Sequence, residues 1–280
     1  MTRKDRKAGI ASGCFCPPLR THAWVNGVRV DTLSPSEALE RLGTFLSCSA
    51  SHVVNHLPAH PTVIARRDPV YRDLLNRADL NVADGMGVVW ACRLQGFRRM
   101  QERVYGPDFL LEAFRWGEDR GIRHTFVGGT ENTLDLLIQA LRRRYPRVRV
   151  QGAYAPPFRD VNEESVQEDL SRLNVTADLL WVGLGTPKQQ VWADIARNYS
   201  PAKAILTVGA AYDFIAGVKP QAPRWMQRHG LEWAFRLATE PRRLWRRALV
   251  DNAVFAWAVL MDRGFGPLPG PGRRPEHDRT

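Results

Sequence analysis

Asp84 closes the short run Leu80-Asn81-Val82-Ala83 and is followed by Gly85-Met86-Gly87 and then the apolar Val88-Val89-Trp90-Ala91. A carboxylate between the end of a buried strand and the start of a helix stands at an open rim, where a general base has to be. Aspartate is also a good helix N-cap, so the local pattern leaves both roles open. Asp213, just after Gly209-Ala210-Ala211-Tyr212, poses the same choice. A second kind of chemistry is written into the stretch from Asp178 to Trp192. Leu179 to Val182 is a continuous apolar run, as in a strand covered on both faces, and Thr186-Pro187 reads as an N-cap followed by a first-turn proline. Gly183 and Gly185, between them, let a phosphate or sugar approach the backbone, while the new helix offers unpaired N–H groups and the positive end of its dipole. An ordinary strand-to-helix connection looks much the same, and it is recurrence at other strand ends that favours a ligand.

Asn55-His56 and Gly128-Gly129-Thr130 supply that recurrence. His52, His56 and His60 have the four-residue spacing that aligns metal ligands on a helix, but Pro58 and Pro61 break that geometry. No metal site is expected there, and His56 reads as a rim hydrogen-bonder or an ordinary loop residue. Arg103, between Glu102 and Gly106-Pro107-Asp108, is either a surface charge or an anion clamp. The chain has no Asp-x-Asp pair, so any sugar-nucleotide chemistry is expected to be metal-free and without a cofactor.

These residues need elements to hold them. Asn26-Gly27 marks a hairpin, and Ser34-Pro35-Ser36-Glu37 is a capping box opening a helix towards Cys48. Strands are expected at His52 to Asn55, Leu80 to Ala83, Thr125 to Val127, Val148 to Val150, Leu179 to Val182 and Ala204 to Val208, each followed by helical sequence. Such alternation specifies an α/β fold, a mainly parallel Rossmann-like sheet covered by helices. Ligands of such sheets bind beyond the carboxyl ends of the strands, where these glycines and carboxylates gather.

The 280 residues, 44% hydrophobic and 25% charged, are enough for one large domain with an appendage. The expected division is a disordered basic tail over 1–22, the main domain over 23–240, an amphipathic membrane-proximal appendage over 241–263 and a disordered tail over 264–280. A net charge of +11 calls for an anionic partner: nucleic acid, a phosphorylated ligand or an acidic membrane surface. The basic start, interrupted by Pro17 and Pro18, does not read as a signal peptide, no run reaches about 20 apolar residues, and the four cysteines show no disulfide or metal spacing, so a reducing cytoplasm is expected. Between Arg224 and Arg247 seven arginines face two glutamates. Arg242, Arg243, Arg246 and Arg247 recur at helical spacing beside Trp245, and Ala253 to Met261 is an apolar run of interfacial length. This is a membrane-docking helix or one packed on the domain with a solvated basic face.

Taken together, Asp79 to Ala91, Glu102 to Asp108, Val127 to Thr130, Ala155 to Phe158, Val182 to Gln190, Val208 to Phe214 with Ala216-Gly217, and Ala222 to Trp233 resemble the WecG/TagA/CpsF glycosyltransferases. The likeness runs from about Trp24 to Leu249. It implies an inverting, metal-independent transfer of an N-acetylmannosamine-type or related sugar from a UDP donor to a polyprenyl-diphosphate-linked sugar, in cell-surface or exopolysaccharide synthesis. By that resemblance Asp84 is the base for the acceptor hydroxyl, Gln189 helps hold the donor and Arg103 neutralises the leaving diphosphate. The expected donor and substrate residues are then Asn55, His56, Gly85, Arg103, Gly128, Gly129, Gly183, Gly185, Thr186, Gln189 and Asp213. The resemblance also places the enzyme in the cytoplasm, attached peripherally to the inner face of the plasma membrane. Two positions depart from the family pattern: Asn55-His56-Leu57-Pro58 replaces a Thr-x-Asn motif, and Tyr105 replaces a small hydroxyl residue. The alternatives are a dinucleotide-dependent oxidoreductase, weakened because Lys188 fills the third glycine position after Gly183 and Gly185, and a nucleic-acid binder, weakened because the rim is glycine and acid rather than aromatic. A homo-oligomer is left open.

Overall fold

The computed structural model describes residues 21–173, 176–261 and Gly266. Strands β1 (His22–Val25) and β2 (Val28–Asp31) form the expected hairpin. Asn26 and Gly27 both take positive φ, 53° and 77°, as the turn that matches strand twist requires. Thr21 and His22, assigned to the tail by sequence, belong to this hairpin: the Thr32 N–H donates to the Thr21 carbonyl. Helix α1 (Pro35–Leu46) opens on the capping box, with Ser34 and Glu37 satisfying each other's N–H groups. Cys48, beyond its end, is disulfide-bonded, contrary to the spacing argument, and its partner lies outside the described residues.

Strand β3 (His52–Leu57) leads to α2 (Ala59–Arg67) and α3 (Pro69–Asn76), and β4 (Leu80–Ala83) leads to α4 (Met86–Leu94) and α5 (Gly106–Glu118). Then come β5 (Arg123–Gly128), α6 (Glu131–Arg144), β6 (Arg149–Tyr154), α7 (Glu163–Leu173), β7 (Leu179–Gly183), α8 (Lys188–Ala196), β8 (Ala204–Thr207) and α9 (Ala211–Ile215). The eight strands form one sheet in the order β1-β2-β4-β3-β8-β7-β5-β6, parallel except for the first hairpin. β3 runs two residues further than its apolar run suggests, because His56 and Leu57 pair with Val82 and Ala83 of β4. His56 is thereby a strand residue and not a loop residue.

Two-residue alternation decides which layer each strand side chain joins. In β7, Leu179 and Trp181 pack with Phe114, Phe126 and Leu137 under α5 and α6, whereas Leu180 and Val182 pack with Trp192 and Ala193 of α8. Both faces are covered, which is why the run carries no polar residue. The carboxyl ends of β3, β4, β7 and β8 therefore meet on one rim between the layers.

After α9 the chain forms α10 (Arg224–Arg228), α11 (Glu232–Thr239) and α12 (Pro241–Trp245), a π-helical segment over Arg246–Asp251, and α13 (Asn252–Leu260). The apolar run does not lie free. Phe255, Ala258 and Val259 of α13 are buried, with Phe255 and Val259 packed on Val88, Ala91 and Cys92 of α4. His60 Nδ1 meets Asp251 Oδ2 at 2.7 Å, tying α2 to the π-helical segment.

Candidate active site

A cavity of about 680 Å³ opens at the carboxyl ends of the strands, between the sheet and α11–α13. Asp84 stands at its wall. The Gly106 N–H donates to Asp84 Oδ1 at 2.8 Å, and the N-cap position of α4 is Gly85, with no side-chain cap bond. The carboxylate therefore does not cap the helix that follows it. It receives instead the first N–H of α5, that of Gly106.

Arg103 approaches from the loop before α5. Its Nη1 lies 2.7 Å from Glu232 Oε2 and donates to the Asp84 carbonyl at 3.3 Å, while Nη2 donates to Gln227 Oε1 at 3.0 Å. The guanidinium sits 3.7 Å from the centre of the Tyr105 ring. Burial opposes its charge, but Glu232 and Asp84 outweigh burial and hold its pKa above the usual value. Arg103 is thus partly neutralised by a carboxylate of α11, and Tyr105, bonded to Gln221 and Glu232, belongs to the same network.

On the opposite side the amide of Gln189, at the start of α8, is fixed by the Gly209 N–H, which donates to its Oε1 at 3.1 Å. The Thr186–Pro187 peptide is cis and α8 starts at Lys188, with Pro187 rather than Thr186 in the cap position. Thr186 is accordingly a lining residue and not an N-cap. Gly185 has φ +79° and open space where a Cβ would stand, so backbone is presented to the cavity. Lys219 Nζ pairs with Asp213 Oδ2 at 2.8 Å, and Arg243 pairs with Glu240.

The strand ends thus bring His56, Asp84, Gly85, Gly129, Gly183 and Gly185 to one cavity. The intervening loops and helices add Arg103, Thr186, Gln189 and Asp213. Two expected residues are not among its lining. Asn55 is buried in the sheet, donating to Asn81 Oδ1 at 3.0 Å and accepting from the Thr207 hydroxyl at 3.1 Å, so its side chain bridges three strands. Gly128 meets β7 instead of a ligand: a Cβ there would lie 2.6 Å from the Gly183 carbonyl. Gly183 lines the cavity but is needed for packing as well, since its own Cβ would lie 2.6 Å from the Tyr212 ring. Of the four arginines expected at the membrane, Arg243 lines the cavity, Arg242 and Arg246 are exposed outside it beside the exposed Trp245, and the Arg247 side chain lies outside the described residues. Among the described residues no group of three or more His, Cys, Asp or Glu could hold a metal ion.

Sequence reasoning missed Lys219, Glu232 and Arg236 of the lining, and Gln227, which holds Arg103. Glu232 had a signal, being one of only two glutamates in an arginine-rich segment.

The family model for the WecG/TagA/CpsF glycosyl transferases matches residues 23–267. The chain belongs to that family. This glycosyltransferase is 29% identical over 185 residues to an N-acetylglucosaminyldiphosphoundecaprenol N-acetyl-beta-D-mannosaminyltransferase of Bacillus spizizenii, covering 66% of this chain and 70% of the relative. It is 26% identical over 223 residues to a protein of the same name from Staphylococcus aureus MRSA252, covering 79% of this chain and 85% of that one. Membership sets aside the oxidoreductase and nucleic-acid readings.

Proposed function

We propose that this glycosyltransferase moves an N-acetylmannosamine-type sugar, or a related hexose, from a UDP donor to a polyprenyl-diphosphate-linked sugar in cell-surface or exopolysaccharide synthesis. The observation that carries the reading is Asp84 in one cavity with Gln189 and a set of cations, Arg103, Lys219, Arg236 and Arg243. The acceptor hydroxyl attacks the anomeric carbon as its proton passes to Asp84. The new glycosidic bond forms while the bond from that carbon to UDP breaks, and UDP leaves with the electron pair. A single displacement of this kind inverts the anomeric centre. The leaving diphosphate is stabilised by fixed N–H groups and cationic side chains, with no metal in the scheme. Arg103 reaches the diphosphate if Glu232 yields to it; Lys219, Arg236 and Arg243 already line the cavity.

The relatives' names support the acceptor class. The proposed location is the cytoplasmic face of the plasma membrane, with peripheral attachment. No helix among the described residues is long and apolar enough to cross a membrane. A panel of UDP-sugars assayed with and without a lipid-diphosphate sugar acceptor tests the reading. One donor should be consumed rapidly only when acceptor is present, and EDTA should leave the rate intact. Acceptor-independent turnover, or a strict need for magnesium or manganese, overturns it.

A further inference from the structure

Arg103 is held at the cavity wall largely by neutral partners. Gln227 Oε1 accepts from its Nη2 at 3.0 Å, and Gln227 is itself fixed, buried and donating to the Ala222 carbonyl at 2.7 Å. The Asp84 carbonyl accepts from Nη1 at 3.3 Å, and the Tyr105 ring centre lies 3.7 Å from the guanidinium carbon. Glu232, which lines the cavity beside Arg103, is held less well. Its Oε2 makes a close ion pair with Nη1 at 2.7 Å without a well-formed hydrogen bond, and its Oε1 accepts from the Tyr105 hydroxyl at a long 3.4 Å. The pair is withdrawn from most water, with side-chain exposures of 12% for Arg103 and 14% for Glu232. Taking one partner from such a pair leaves an uncompensated charge, whereas exchanging one anion for another does not.

Glu232 also stands on a lightly anchored element. It opens α11, none of whose eight residues is buried, just beyond Gly230 with φ +67°. A segment with few buried side chains shifts at little cost. Arg103, by contrast, is followed by the buried Val104 and Tyr105 and stays where it is. A diphosphate carries more charge than one carboxylate and has oxygens spaced for the guanidinium fork. We propose that Glu232 is an internal stand-in for the donor's diphosphate: it occupies Arg103 and is displaced from it when the diphosphate binds, so that donor binding and the seating of Glu232 oppose each other. The inference rests on the diphosphate-bearing donor proposed above and adds a residue, acting through Arg103, that sets how tightly that donor is held.

The probes are inorganic diphosphate and UDP, titrated by calorimetry into the full chain, with a thermal melt of every variant to recognise a misfolded one. Glu232→Gln removes the competing charge and should bind both probes about tenfold more tightly, while Arg103→Gln should bind them about tenfold more weakly. In the double variant the gain should shrink to about twofold or less, because a carboxylate that competes for Arg103 has nothing left to compete for. Asp213→Asn, which removes the carboxylate paired with Lys219, is the control: its effect should be the same with and without Arg103. Glu232→Asp, shorter by a methylene, should show a smaller gain and carries the test if the Gln variant misfolds. Unchanged or weaker binding by folded Glu232 variants, or a gain of full size in the Arg103→Gln background, overturns the inference. The two readings fail separately. Coupling between Glu232 and Arg103 seen with inorganic diphosphate, but no UDP binding, sinks the proposed donor and leaves the stand-in, whereas acceptor-dependent transfer from a UDP-sugar without that coupling does the reverse.

Discussion

His56 is 2% exposed and packed on Phe109, and the Thr207 backbone near its ring leaves it without a well-formed hydrogen bond at either nitrogen. Burial pushes its pKa down to about 4, with the Thr207 backbone opposing only in part, so at neutral pH the ring is an uncharged donor and acceptor at the cavity wall. Unsatisfied buried polar groups cost roughly 1–3 kcal/mol each, and a sugar hydroxyl, which both donates and accepts, would satisfy one of them. His56→Leu should therefore leave the protein as stable or more stable in urea while lowering kcat/KM for transfer by about tenfold to a hundredfold. A less stable variant with full activity would make His56 a structural residue. Asp84 separates in the same way. Asp84→Asn keeps an oxygen for the Gly106 N–H and loses the base, so transfer should fall by roughly 10² to 10⁴ with the unfolding midpoint nearly kept. Asp84→Ala should lose that rate and about 1 kcal/mol of stability besides. Near-normal turnover by a folded Asp84→Asn protein would end the assignment. The place of Asp84 at the rim was legible because strand, carboxylate and glycine are adjacent in the chain. Asn55 was misread because its partners, Asn81 and Thr207, are 26 and 152 residues away, and no local pattern announces them.

At the level of elements, glycines that look alike in sequence do different work. Gly128 and Gly183 face each other across β5 and β7, and a side chain on either runs into backbone or the Tyr212 ring. Gly185 meets nothing. Gly183→Ala should therefore lower stability by about 1–3 kcal/mol through overpacking. Gly185→Ala should cost about 1 kcal/mol, for its positive φ, while weakening UDP binding more than Gly183→Ala does relative to the stability lost. Thermal melts beside calorimetric UDP titrations read both quantities, and equal profiles for the two variants would refute the distinction. The hairpin, the capping box and the run of βα units could be read from sequence because each is written in contiguous residues. The strand order could not. β8 inserts between β3 and β7 through contacts such as Val54 with Leu206 and Trp181 with Leu206, which only the closed sheet brings together. Nor could the cavity wall supplied by α11, since its residues meet Arg103 only when the C-terminal helices fold back.

For the molecule as a whole, two buried histidines and one exposed surface set the response to solvent. Burial lowers His56 to about 4 and His124, stacked on Phe114 and accepting from the Trp181 indole N–H at 3.1 Å, to about 3. The unfolded chain takes up protons near pH 6.5 and the folded one does not, so stability should be full above about pH 6.5 and should fall steadily as pH drops towards 4. Urea midpoints at pH 7.5 and 5 check this, and His124→Phe should flatten part of the slope. The exposed surface lies on the C-terminal helices, where Trp245, Leu249, Val250, Trp257, Leu260 and Met261 face solvent while Phe255 and Val259 hold the helix to the domain. The side chains that pack on the domain and those left exposed are thus different ones of the same segment, and the exposed ones are proposed to meet the membrane. Arg242 and Arg246 are exposed beside Trp245, whereas Arg243 is occupied by Glu240 and faces the cavity. A basic side chain near an anionic leaflet contributes about 1 kcal/mol, so Arg242→Gln with Arg246→Gln should weaken partitioning onto anionic vesicles roughly thirtyfold, and rising salt should weaken the wild type in the same direction. Trp257→Ala with Leu260→Ala should lower binding while keeping the salt dependence, because it removes apolar contact and no charge. Co-sedimentation decides the matter. A wild-type chain that stays in the supernatant at low salt, or an arginine variant that sediments as well as the wild type, would leave the basic face a solvated surface and nothing more.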